Sequence, residues 1–293
     1  MAEALHGAAS NGNIQLLQQI LDVGEVGVDA CDSENTTALM FACVGGYRNC
    51  VEFLLDRGAS VNSKRMTGCT ALYLASQGGF YIIVNLLINK GAVINDQNHN
   101  GGTALFSASQ LGFNDIVELL CSKGANVNLS LEDKTSPTFI ASQNGHLETV
   151  KVLEHHRADI NRRREDGISP LWIACQMDHY NVVEFLVHAG AHTDRSRSNY
   201  GVTPLFKAAS KGNDNIVRCL LKKLPYTGLL SCGYNPLHVA AYHGHVTVIE
   251  VLLEFGVNSM EKDRDGLDAA QLAMSQNFSG ISDIITAHQN STF

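Results

Sequence analysis

Four glutamines stand at equal intervals in the middle of this 293-residue chain: Gln77, Gln110, Gln143 and Gln176, each behind a small residue, Ser76, Ser109, Ser142 or Cys175. An amide repeated in this way offers a donor and an acceptor at every step. If the steps are neighbouring helices about 10 Å apart, the amides are too distant to bond one another. A strand-like peptide advances about 3.3 Å per residue, so every third residue of it would meet one amide. The plain alternative is a soluble residue multiplied by duplication. Arginines keep a similar spacing. Arg162 pairs with Arg195 and Arg164 with Arg197, Tyr200 is inserted in the loop that follows, and Lys207 and Lys211 lie beyond. Forked guanidinium groups capture acidic side chains or a phosphate; otherwise these residues make a solvated basic patch. Together they are the candidate partner-binding residues.

No catalytic set accompanies them. There is no G-x-G-x-x-G behind a strand, no G-K-[ST] phosphate loop and no H-E-x-x-H. The histidines cluster as His155-His156 and as His238, His243 and His245. A zinc site needs convergent ligands in a fixed polyhedron with no competing structural role, so no metal is expected. Cys69 and Ser136, the nucleophile candidates, fall at positions that a repeat explains. The expectation is a non-enzymatic protein without cofactors.

The elements that position these residues are short. In Thr103–Asn128, Thr103 is a natural N-cap for a helix that Gly112 stops. A second helix carries Ile116, Val117, Leu119 and Leu120 on one side, and Gly124 ends it. Two helices of eight or nine residues do not survive alone in water, because nucleation is unfavourable and each bares an apolar face. They need copies on both sides, and the chain supplies them. Aligned on Thr103 stand Glu3, Thr37, Thr70, Ser136, Ser169, Thr203, Asn235 and Asp268, at spacings of 32 to 34 residues. Five places after each comes alanine: Ala8, Ala42, Ala75, Ala108, Ala141, Ala174, Ala208, Ala240 and Ala273. A larger side chain there would push neighbouring helices apart.

This period, with TPLF at Thr203–Phe206, SPLW at Ser169–Trp172 and NPLH at Asn235–His238, resembles the ankyrin repeat. The resemblance covers essentially the whole chain. It implies an all-α solenoid of helix-turn-helix pairs with β-hairpin fingers. The nine repeats, capping repeats included, are approximately 1–31, 32–64, 65–97, 98–130, 131–163, 164–197, 198–229, 230–262 and 263–293, forming a single array. It also implies that the end of the first helix carrying the glutamines faces a concave groove where partners bind. Asn62, Asn95, Asn128 and Asn161 match an asparagine that bonds turn backbone in the family. Three places after the N-cap the family prefers histidine, whereas Tyr73, Phe106, Phe139, Trp172 and Phe206 stand here as core candidates. Their loss of the imidazole puts its hydrogen bond in question. Arg164 and Arg197 replace a customary aspartate, and since like charges on adjacent fingers repel, the scaffold is expected to gain nothing from stacking them.

Composition agrees: 45% hydrophobic and 17% charged residues describe a folded soluble protein. No apolar run is long enough for a membrane helix, and the start MAEALHGAASNG has no signal core. Eight cysteines without a C-x-x-C pair point to reduced thiols in the cytoplasm, or in cytoplasm and nucleus. The net charge of −8 conceals 11 basic and 7 acidic groups in 157–223, between two acidic ends. That patch is too short, and the overall balance too acidic, for a nucleic-acid role. Leu224–Leu230 replaces the usual finger, and Pro225 predicts a different shape there. The expected function is a monomeric protein–protein interaction module, a scaffold or adaptor for an acidic extended segment. The alternative is a regulatory subunit that masks a site on an enzyme or transcription factor.

Overall fold

The computed structural model describes residues 2–193, 202–223 and 233–291, which form eighteen α-helices and no strand. They divide into two compact units, Met1–Ala141 with Glu148–Asp159, and Ser142–Leu147 with Ile160–Phe293. The first unit contains α1 (Ala2–Ser10), α2 (Ile14–Val23), α3 (Ala38–Val44), α4 (Arg48–Asp56), α5 (Ala71–Gln77), α6 (Tyr81–Asn89), α7 (Ala104–Leu111) and α8 (Asn114–Ser122). Helices α9 (Pro137–Gln143) and α10 (Leu147–His155) give residues to both units. The second unit contains α11 (Pro170–Gln176), α12 (Tyr180–His188), α13 (Pro204–Lys211), α14 (Asp214–Lys223), α15 (Pro236–His243), α16 (Val246–Glu254), α17 (Ala269–Ser275) and α18 (Ser279–Ser291).

The helices start where the aligned cap residues place them. Thr37, Thr70, Thr103, Ser136, Ser169, Thr203, Asn235 and Asp268 each accept a bond from the amide three residues on. Glu3 differs, lying inside the first turn of α1. Within each unit, first helices pack on first helices and second on second: α3 on α1 and α5, α4 on α2 and α6, α13 on α11 and α15, α14 on α12 and α16. All nine alanines of the close-approach slot are at most 2% exposed. Polar Gln15, Gln18 and Gln19 of α2 are exposed while Leu17 and Ile20 are buried, as an end helix with one partner requires.

The asparagine series acts between copies. Asn62 accepts from Val93 N at 2.9 Å and donates to Gly91 O at 3.1 Å. Asn95 does the same to Asn126 N and Gly124 O, and Asp29 accepts from Ser60 N. In the second unit Asn161 accepts from His192 N at 2.7 Å. Each side chain therefore satisfies the next copy's turn. A second link joins a glycine to a ring. Gly212 has φ +79°, and a Cβ on it would lie 2.7 Å from the ring of His245 in the following copy; Gly79 faces Phe113 likewise.

The fingers are the expected hairpins in their shortest form: Asp32 N donates to Thr36 O and Asn35 N to Asp32 O, and Asn98 and Asp263 begin the same pair of bonds. Among the described residues they are tight turns, and only Cys31 with Thr37 and Lys64 with Thr70 form isolated antiparallel bridges. A side chain reinforces the backbone bonds of the turn: Asp32 Oδ1 accepts from Glu34 N and Thr36 N, and Asn98 and Asp263 repeat the device. The segment Leu224–Leu230 lies outside the described residues.

Candidate protein-binding surface

The glutamines come at the last turn of their first helices. Gln77 and Gln110 are exposed on α5 and α7, which pack together in the first unit, while Gln143 and Gln176 are half-buried in the second. The side-chain amides of Gln77, Gln143 and Gln176 make no hydrogen bond among the described residues. The backbone carbonyl of Gln143 is taken by His179 Nε2 at 2.9 Å. The small residues before them, Ser76, Ser109, Ser142 and Cys175, are fully buried. Their role is close packing.

The arginines separate by environment. Arg195, Arg197 and Tyr200 lie outside the described residues. Arg162 and Arg164 are half-buried in the turn that precedes α11. Arg164 reaches Asp166 with Nε and Nη2, while Asp166 Oδ1 accepts from Ile168 N. The Arg164 guanidinium holds the Asp166 carboxyl below its ordinary range. Arg164 and Asp166 together therefore do what a lone aspartate does in Asp32 and Asp263.

Lys207 and Lys211, one turn apart on α13, have no carboxylate partner among the described residues. Lys207 is half-buried with Nζ 5.2 Å from the Trp172 ring centroid. The ring is fixed by Nε1, which donates to Val202 O at 3.0 Å. Partial burial, then the charge of Lys211, lowers the Lys207 pKa. His243, at the end of α15, is lowered by partial desolvation and then by His245, Lys207 and Lys211. Trp172 and His243 are therefore neighbours of the candidate lysines, although sequence reasoning assigned one to the core and the other to a histidine group. A signal existed. The position four after the N-cap is Phe41, Leu74, Ser107, Ile140, Ile173, Val239 or Leu272 in other copies, and Lys207 puts a charge there.

The remaining histidines belong to the scaffold. His245 Nε2 meets Ser210 O at 3.1 Å, as His179 meets Gln143 O. His238 is buried against Asn235 and Leu267 O. Among the described residues no group of His, Cys, Asp and Glu comes together to hold a metal ion. A cleft of about 440 Å³ opens between α12 and α14, lined by Tyr180, Glu184, His188, Arg218, Cys219 and Lys222 among others. Its strongest cation, Arg218, is already forked onto Glu254.

A profile of ankyrin repeats in three copies matches residues 2–65, 63–130, 138–228 and 189–263, most of the described helices. The chain belongs to the ankyrin-repeat family. Members of this family are generally non-enzymatic and serve as protein-interaction modules. Among curated proteins, the chain is 45% identical over 65 residues to ankyrin repeat domain-containing protein 29 of Danio rerio, and 43% identical to that of Homo sapiens. Each match spans 22% of this chain and 22% of the relative. The E3 ubiquitin-protein ligase KEG of Arabidopsis thaliana is 38% identical over 65 residues, only 4% of its length. No helix among the described residues is long and apolar enough to cross a membrane.

Proposed function

We propose that this ankyrin-repeat array is a non-enzymatic scaffold or adaptor whose second unit binds an acidic, extended segment of another protein. The observation that carries the reading is the pair Lys207 and Lys211. Like charges one turn apart oppose each other, one of them is half-buried, and no described carboxylate neutralises either. Trp172 supports Lys207, and Lys211 suits the last turn of α13, but a negative ligand is what would neutralise the pair. Gln143 and Gln176 in the same unit have amides left over for a partner's backbone. Arg162 and Arg164 border the same unit, with the charge of Arg164 offset by Asp166, while Arg195, Arg197 and Tyr200 extend the sequence patch. In the first unit, Gln77 and Gln110 are the corresponding positions. Nine repeats with the boundaries given above organise the chain, and its seven described, unpaired cysteines fit a cytoplasmic or nuclear protein acting as a monomer.

The test uses association kinetics with an isolated partner at two salt concentrations. K207E/K211E should slow association at low salt and matter less once salt shortens the Debye length below about 10 Å. Q143A/Q176A should instead shorten the lifetime of the complex, since direct hydrogen bonds act mainly on dissociation. Parent-like binding by both double variants would place the interface elsewhere.

A further inference from the structure

Of the nine copies, only the one beginning at Thr203 has a cation four residues after its cap. Lys207 is the residue concerned, its ammonium against the face of Trp172. Trp172 comes from α11, Lys207 and Lys211 from α13, and His243 from α15, three helices packed in sequence within the second unit. Lys211 and His243 hold the same slot, eight residues after the cap, in adjacent copies whose first helices pack together, and Lys207 lies one turn before Lys211. Arginine, whose planar fork matches carboxylate and phosphate alike, is not among them. Lysine acts on phosphate as a point charge with three rotatable donors.

We propose that Lys207, Lys211 and His243 form an oxyanion site that receives the phosphate of a phosphorylated side chain in the bound segment. The inference rests on the reading that this unit binds an extended partner, and it specifies the chemistry of one residue of that partner. A carboxylate brings one charge and two coplanar oxygens. A phosphate monoester brings about two charges and three oxygens directed to different sides, which suits donors arriving from two helices. Trp172 supports the stem and head of Lys207 through its ring face, and its own position is set by the bond to Val202.

His243 adds a proton linkage. The titratable groups facing it are Lys207 and Lys211 from α13, His245 at the start of α16 and Tyr242 beside it in α15; α17 (Ala269–Ser275) has none. These cations disfavour a charged imidazole, and a dianion placed among them reverses that effect. Anion binding should therefore strengthen as pH falls and His243 takes up a proton.

Trp172 is the single tryptophan of the chain, so its emission reports on this site alone. The full chain is titrated at constant ionic strength with sulfate, which stays doubly charged, and with acetate. Anisotropy then compares a short phosphoserine peptide with its glutamate counterpart and with competing inorganic phosphate. The expected result is a saturable change in Trp172 emission with sulfate and none with acetate. Sulfate affinity should fall about tenfold in K211A, the loss of one charge-assisted contact. It should rise from about pH 7.5 to about pH 6 in the parent and stay flat in H243Q. The phosphopeptide should bind more tightly than either its glutamate counterpart or free phosphate. Absence of a saturable sulfate response, or one unchanged in both K211A and H243Q, would overturn the site. Phosphopeptide binding no tighter than free phosphate would overturn the assignment to a partner side chain. If the site fails while K207E/K211E still slows partner association, the groove reading stands without it; a saturable site with partner kinetics unchanged would instead remove the groove reading.

Discussion

Trp172 and His238 occupy the same slot in two copies and address equivalent carbonyls. The indole Nε1 donates to Val202 O at 3.0 Å, and His238 Nε2 meets Leu267 O at 3.3 Å, each acceptor lying just before the next cap residue. The exchange of imidazole for aromatic ring that left this bond in question therefore preserves it where the ring is indole, and Phe139 fills the slot with a fully buried ring. At His238 the burial has a measurable consequence. Desolvation lowers its pKa from 6.5, so the unfolded chain takes up a proton there more readily than the folded one. Stability is thus complete above that value and declines as pH falls below it. The melting temperature should drop on acidification from pH 6.5, and the decline should be shallower in H238Q; identical slopes in the two proteins would show that His238 does not contribute. The presence of a ring was legible in the sequence, but its partner was not, because the accepting carbonyl lies about 30 residues away and belongs to another copy.

At the scale of the element, caps, alanines and helix stops were readable because each answers to a local rule: a side chain bonding an amide three residues on, or a contact with room for one methyl. The alanine slot gives the sharper test. Ala108 is fully buried where α7 packs on α5, so Ala108→Leu should overpack that contact and cost about 1–3 kcal/mol. Chemical denaturation of the variant measures it, and an unchanged midpoint would contradict the packing. The fingers were less legible. The hairpins implied by the family resemblance are present as tight turns, but the side chains of Asp32, Asn98 and Asp263 that brace them by accepting from their own backbone were not foreseen. That Arg164 pairs with Asp166, two residues on, was not legible, because nothing in the sequence says which of its acidic neighbours the side chain meets.

For the molecule as a whole, stability comes from packing between copies and from no crosslink. The seven described cysteines are unpaired. Burial pushes the Cys121 thiol up to about 12, and raises those of Cys43 and Cys175 as well. Alkylation followed by mass spectrometry should label exposed Cys31 first, and reach these three only as the helices open. Labelling of Cys175 as fast as Cys31 would mean that the second unit is not packed as described. The contact between glycine and ring also limits which copies can be neighbours. A copy that brings His245 or Phe113 must follow one that ends in glycine, since any side chain at that point would occupy the ring's place. Asp178 holds the glycine position at φ +61° in its own copy, and the next copy brings Asn213 where every copy that follows a glycine brings a ring. The array therefore has a rule of succession. Copies can be duplicated or reordered by recombination only where ring and glycine still meet, and the Asp178 copy can precede only a copy without a ring.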